Sequence, residues 1–378
     1  MRDQKEKFDY NQSQPLEKTH IDLKKIDFNH LLNDSLLQSS RQVAEKPLPE
    51  NQEFSPNIEP SADDSSPDQP TLNTFYEEAL REIQQGNYAS ASEIMQKAIF
   101  IDLDSRLPSL MVKTCDFWDA RLKKLRHLPL LELFPATYEA WLNFYKNIVR
   151  SDTLVLDRVI HVVRMQVFGN VIEQLKTHPR LEQDAQYAFA LARAYKYRGD
   201  YDEAIDIYAL VLELDAKNPS ALAELADCYA IIDEEGRAKI LFREAFFHGA
   251  DRILMDNLES VMIKQLRQKT RELHLPETYL AEWMAVYGVV FGLFDTSREL
   301  SNSEYARLNH SIHALRAQVE EHPEKRGFLV PRLIYRLFWL IDYFVANQVD
   351  AQVTRQNIEK VLFEIKFLDE RVYKKYKL

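Results

Sequence analysis

Glycine occurs only 8 times in 378 residues. Phosphate-cradling loops, dinucleotide-binding turns and tight hairpins depend on glycine's freedom at positive φ. The shortage speaks against most nucleotide-binding α/β folds and against an all-β fold, and in favour of helices. Cysteine is scarcer still. Cys115 and Cys228 make neither a disulfide framework nor a four-ligand zinc site, and they read as two packed thiols in a reducing compartment. Basic charge is outweighed: 48 Lys and Arg stand against 59 Asp and Glu, a net charge of −11. Such a chain lacks the general attraction to nucleic acid or anionic lipid that a basic one has. Long apolar runs are missing too. The nearest, Ala281–Phe294 and Leu333–Val345, are interrupted by Glu282 and Asp342 and fall short of the ~20 residues that a membrane span needs. No secretory signal is visible in the first residues. The expectation is a cytoplasmic protein without stable membrane insertion and without nucleic acid as a partner.

Catalytic motifs are absent as well. There is no metalloprotease His-Glu-x-x-His, no Walker loop and no nucleophile elbow. His310 and His313 could share a helix face, but read as solvated histidines and not as a metal site. Cys228, beside Tyr229, reads as a packed small residue and not as a nucleophile. The aromatic stretch Tyr335–Phe344 reads as a buried helix, and the basic end Arg371–Leu378 as a solvated terminus. No enzymatic activity, no cofactor and no metal are expected.

What the chain does have is a core-forming composition: 46% hydrophobic and 28% charged residues, with 18 Tyr and 20 Phe, which is ordinary for a globular protein. Residues 1–70 stand apart. They hold 7 of the 15 prolines, no glycine, and 14 acidic against 8 basic side chains. A segment of this kind buries too little apolar surface to offset its ordering entropy, so a disordered tail is expected over 1–70. One stretch, Ile21–Leu32, reads either as a transient helix or as a short docking motif.

From about residue 71 apolar side chains recur at three- and four-residue steps, the helical period. Val112, Cys115, Trp118, Leu122 and Leu125 form one stripe. Tyr138, Trp141, Tyr145 and Ile148 form another, and Leu156, Val159, Val163 and Val167 begin a third. Further helices are expected over 253–273, 277–294, 302–319, 331–346 and 351–368. Pro276 and Pro331 suit a first helical turn, Ser301 with Glu304 makes a capping box, and Asp350 suits an N-cap. No strand is expected.

The most informative stretch is 185–252. Shifted on itself by 34 residues, it places Leu191 on Leu225, Ala192 on Ala226, Tyr195 on Tyr229, Ala204 on Ala238 and Tyr208 on Phe242. A fixed period of this length marks stacked supersecondary units. Ala192 and Ala204 are small enough for two antiparallel helices to approach. Gly199-Asp200 ends one helix and begins the next, with Asp200 and Glu203 at capping-box spacing. Asn218-Pro219 starts the following helix. A weaker copy spans Leu72–Ser105, with Phe75, Ala79, Gly86-Asn87-Tyr88, Ala91, Ala98 and Asp102. It carries Glu78 and Glu82 where apolar residues stand in the other copies. Residues 106–184 leave room for two degenerate hairpins and an insertion.

The 185–218 and 219–252 copies resemble the tetratricopeptide repeat (TPR) family, through Leu191, Ala192, Tyr195, the run Gly199–Ala204 and Tyr208, and through Leu225, Ala226, Tyr229, Ala238 and Phe242. The second copy departs at its turn, Asp233-Glu234-Glu235-Gly236. The resemblance implies an all-α, TPR-type helical-hairpin solenoid over 71–252, with a C-terminal helical region, 253–378, packed on it. It also implies a non-catalytic scaffold or adaptor that binds a partner peptide or helix in the concave groove. Carried over position by position, the groove residues are Phe189, Arg193, Lys196 and Tyr197, then Ala223, Glu224 and Asp227. Chaperone-binding members of the family clamp a C-terminal carboxylate with basic residues and Asn. Here Asp227 stands at an Asn position and Glu224 lies near, so a partner segment of mixed charge is implied instead. The alternative is a structural subunit of a stable oligomer formed through the C-terminal helices.

Overall fold

The computed structural model describes residues 71–150, 152–295, 299–348 and 350–377. The tail read over 1–70 lies outside the described residues. The described chain is all-helical, with fifteen α-helices and no strand, and it divides into two compact units at Ala281 and Glu282.

The first unit carries α1 (Leu72–Gln84), α2 (Tyr88–Ala98), α3 (Leu107–Leu125), α4 (Leu130–Phe144), α5 (Asp157–Leu175), α6 (Ala185–Arg198), α7 (Tyr201–Leu214), α8 (Pro219–Ile231), α9 (Glu235–Gly249) and α10 (Val261–Arg271). Consecutive helices from α1 to α9 pack on one another. In addition α5 packs on α1, and α4 on α6. Helices α1–α5 thereby close around a core in which Trp118, Phe144 and Phe168 are fully buried. A second core, with Ala192, Ala204, Tyr208 and Leu225, lies between α6, α7 and α8.

Three hairpin turns share one geometry. Gly86, Gly199 and Asp233 each take positive φ, at 82°, 103° and 63°. The next residue's N–H then reaches back to a carbonyl in the last turn of the helix: Asn87 to Glu82, Asp200 to Tyr195 and Glu234 to Tyr229, at 2.9, 3.0 and 2.8 Å. This is the closing bond of a Schellman turn. Asp233 therefore does the work of glycine in the copy that lacks one, as short polar side chains sometimes do in the left-handed region. Asp200 does not cap α7 with its side chain. Its carboxylate is taken by Arg198. Asn218 does cap α8, accepting from the Ala221 N–H.

Ala192 and Ala226 are both fully buried. Leucine at Ala226 should overpack the α8 contacts at a cost of about 1–3 kcal/mol, read as a lower urea midpoint at unchanged m-value. A neutral Ala226→Leu would mean that the register of the 34-residue alignment is wrong.

Between the first hairpin and α6, the room for two hairpins is filled differently. Three long helices occupy it, and α4 runs on into a π-turn over Tyr145–Val149. The expected helix over 253–273 is also shorter. Residues 250–260 instead form an irregular segment with turns of 3-10 helix at Ala250–Arg252 and Met255–Asn257, and α10 begins only at Val261.

The second unit, 282–378, contains most of α11 (Leu280–Val290) and all of α12 (Asn302–Glu321), α13 (Arg326–Ala346), α14 (Ala351–Leu368) and α15 (Glu370–Tyr376). The Ser301/Glu304 capping box is formed, and Asp350 caps α14 by accepting from Gln352 and Val353. Pro331 does not start a helix: α13 begins at Arg326 and Pro331 lies inside it. Its ring removes the N–H that would bond Gly327, one lost bond in a helix held by eleven buried residues. Tyr335, Leu337, Phe338, Trp339, Leu340 and Ile341 of the aromatic stretch are buried.

Candidate protein-binding site

The 34-residue register puts Phe189, Arg193, Lys196 and Tyr197 on α6 and Ala223, Glu224 and Asp227 on α8. The structure brings them together, but not as an open groove. Lys196 and Glu224 are 1% exposed, and Ala223 and Asp227 are 0% exposed. Their charges are paired across the two helices. Lys196 Nζ lies 2.8 Å from an Asp227 oxygen, both side chains being fully buried. Arg193 forks onto Glu224, its Nε 3.0 Å from each carboxylate oxygen. Tyr208 Oη donates to the same carboxylate at 2.8 Å. The Arg193 guanidinium also sits 4.0 Å above the ring of half-buried Phe189. Burial pushes the Lys196 ammonium pKa down, but the Asp227 and Glu224 carboxylates outweigh it and hold the group above its ordinary value. For Arg193 burial likewise works downward, and Glu224 reverses it.

The cover is the chain's own segment 252–260, gripped largely through its backbone. Lys196 Nζ donates to the Asn257 carbonyl at 2.7 Å, and Tyr197 Oη donates to it at 3.4 Å. Asp227 accepts from the N–H groups of Glu259 and Ser260 at 2.7 and 2.9 Å. Ser220 Oγ donates to the Arg252 carbonyl at 2.7 Å. Ile253 and Leu258 of the segment are buried. Arg193 and Lys196 were expected to meet acidic groups of a partner, and they meet acids of their own chain. Tyr197 is drawn the other way, into the core among Phe134, Tyr138 and Phe168, with ring centroids 4.5 Å from Tyr138. Helix α8 explains the arrangement: ten consecutive residues, Pro219–Cys228, are buried, so α8 is covered on every side. Its lack of any basic residue and its small side chains were the signal in the sequence.

A different concavity is open. The α1–α2 turn, the end of α3, α4 and α5 surround a cleft of about 280 Å³. Its apolar lining is Leu122, partly exposed, with Leu125, Leu133, Val167 and Val171 buried behind it. Its walls are carboxamides: Gln85, Asn87, Gln166, Asn170 and Gln174. Arg126 is the one charged residue in the lining. Gly86 sits here at φ 82°, where a side chain is strained, and a Cβ would also displace the end of Gln166, whose Nε2 lies at 2.9 Å. Tyr88 Oη donates to Gln166 Oε1 at 2.9 Å and fixes that side chain. Nothing in the local sequence announced this cleft, because four separated segments build it.

Both thiols are buried and free, and burial pushes each up to about 12. Neither forms a thiolate near neutral pH. His310 and His313 are exposed, and no cluster of metal-ligating side chains occurs among the described residues. No helix among them is long and apolar enough to cross a membrane. Neither a family model nor a curated protein matches the chain.

Proposed function

We propose that the chain is a non-catalytic protein-interaction scaffold built on a TPR-type solenoid of helical hairpins, acting in the cytoplasm and holding a segment of another protein. The observation that supports this most is the treatment of 252–260. The α6 and α8 faces hold an irregular piece of polypeptide through carbonyl and N–H contacts, as a peptide-binding surface would. In this chain that surface is already filled from within, so a partner segment belongs on another face of the hairpins, and the open cleft between α3, α4 and α5 is the candidate. To test this, a photo-cross-linking residue is placed in turn at Asn170, in the cleft, and at Glu235, on the exposed start of α9, in cells. One protein joined from Asn170 and not from Glu235 is the expected result. Equal, diffuse labelling from both would overturn the reading.

A second reading, a stable subunit formed through the C-terminal helices, is favoured by Phe363 and Phe367. They lie one turn apart on α14 and are 70% and 85% exposed. Aromatic pairs of this kind anchor interfaces. Light scattering on the purified chain should give a dimer that Phe363→Ser with Phe367→Ser converts to monomer. A monomeric wild-type chain disposes of this second reading.

A further inference from the structure

From the geometry of the open cleft we infer that it reads an extended peptide, taking an apolar side chain at Leu122 and an acidic residue at Arg126. The inference rests on the scaffold reading above and adds the ligand class and the residues that recognise it.

Three amides carry the argument. Gln166, Asn170 and Gln174 line the cleft at four-residue steps along α5, so they recur about every 6 Å along the helix. Alternate residues of an extended chain recur about every 6.6–6.8 Å. Three amides can therefore follow alternate peptide units, and flexible side chains absorb the small mismatch. A carboxamide offers both donor and acceptor, which is what a peptide unit presents. Gln166 has its acceptor engaged by Tyr88, which leaves its NH₂ to donate to a carbonyl. Asn170 and Gln174 are exposed. Gln174 Nε2 reaches only the Asn170 carbonyl, at 3.3 Å, a weak bond that a ligand readily replaces.

The remainder of the lining narrows the ligand class. About 280 Å³ takes one large side chain with its flanking backbone. Leu122, the one apolar residue of the lining that is partly exposed, gives an apolar side chain its contact. Arg126 has no ion pair among the described residues and no acid lines the cleft, so the polar end favours Asp or Glu. A nucleotide is disfavoured, since one guanidinium and no glycine-rich nest would face its phosphates. A sugar is disfavoured because no aromatic ring lines the cleft on which to stack it.

The test is a library of random twelve-residue peptides displayed on phage and selected on the full chain. Enriched peptides should pair an apolar residue with Asp or Glu. Asn170→Ala with Gln174→Ala should weaken them tenfold or more at unchanged thermal midpoint, since both side chains are exposed. Arg126→Glu should reverse the preference from acidic to basic peptides. Enriched peptides indifferent to all these substitutions would overturn the cleft as the site and leave the scaffold reading standing. Enrichment of nothing would overturn peptide recognition, and the scaffold reading would then stand or fall by cross-linking.

Discussion

Asp227→Ala should cost about 3–5 kcal/mol of stability, the usual price of removing one partner from a fully buried ion pair. Asp227 faces Lys196 at 2.8 Å with neither side chain exposed, and it also accepts the N–H groups of Glu259 and Ser260. The substitution strands one buried ammonium and two backbone donors at once, and each is costly without a partner. Two measurements check it: the urea midpoint, and hydrogen exchange at Glu259 and Ser260, whose protection should be lost ahead of the α6–α9 helices. Removing both charges, Lys196→Met with Asp227→Leu, should be milder than Asp227→Ala alone because no buried ammonium is stranded, with part of the loss remaining since the Glu259 and Ser260 N–H groups stay unpaired. A loss below about 1 kcal/mol for Asp227→Ala would mean that the segment 252–260 is held by its apolar residues and not by this pair.

The same pair sets an alkaline limit. Lys196 is held above its ordinary value of 10.5, so the native state binds its proton more tightly than the unfolded chain does. The stabilisation is complete below the unfolded value and is lost as pH rises through the higher native one. Wild-type stability should fall above pH ~10.5. Asp227→Ala should remove that part of the fall, since the carboxylate chiefly responsible for the raised value is gone.

How far all this could be read from the residues differs between fold and site. The helices and their turns were plain because their signals are local. Gly86 and Gly199 mark turns, Asn218-Pro219 marks a helix start, and small residues recur at Ala192 and Ala226. Asp233 in the glycine position could be understood only once its φ of 63° was known. Phe189, Arg193, Lys196 and Tyr197 fall on α6 and Ala223, Glu224 and Asp227 on α8, but their burial was invisible. A Lys or Glu on an amphipathic helix is exposed by default, and what buries Lys196 and Asp227 comes from residues about 30 to 60 positions downstream. That covering segment was itself misread. Ile253, Leu254 and Leu258 fit helical spacing, and nothing local separates such a run from an irregular stretch pinned by its backbone. The cleft was further out of reach, since its lining is drawn from residues 85 to 174 and depends on how α5 returns to α1.

Trp118→Ala should be equally severe, at about 3–5 kcal/mol, whereas Trp118→Phe should be tolerated. Trp118 is fully buried and joins α3 to α4. Its ring centroid lies 5.7 Å from Phe144 and 6.3 Å from Trp141, and Trp141 continues the cluster to Phe168 of α5 at 5.6 Å. Alanine leaves a cavity where three helices meet, and their packed faces cannot close over it. Phenylalanine keeps most of the ring. It also removes the Trp118 Nε1 donor, which is buried without a hydrogen-bond partner among the described residues. An orphaned donor costs about 1–3 kcal/mol, so its removal offsets much of the lost indole contact. Leu122 follows Trp118 by one turn of α3, and Thr137 precedes Trp141 by one turn of α4. Both line the cleft, so the alanine variant should lose peptide binding together with stability while the phenylalanine variant keeps both. Thermal unfolding and titration of a cleft-selected peptide on the two variants decide the matter. If alanine and phenylalanine cost the same, phenylalanine recovers none of the ring contact, and the account of the cluster as ring packing around an unpaired indole donor is wrong.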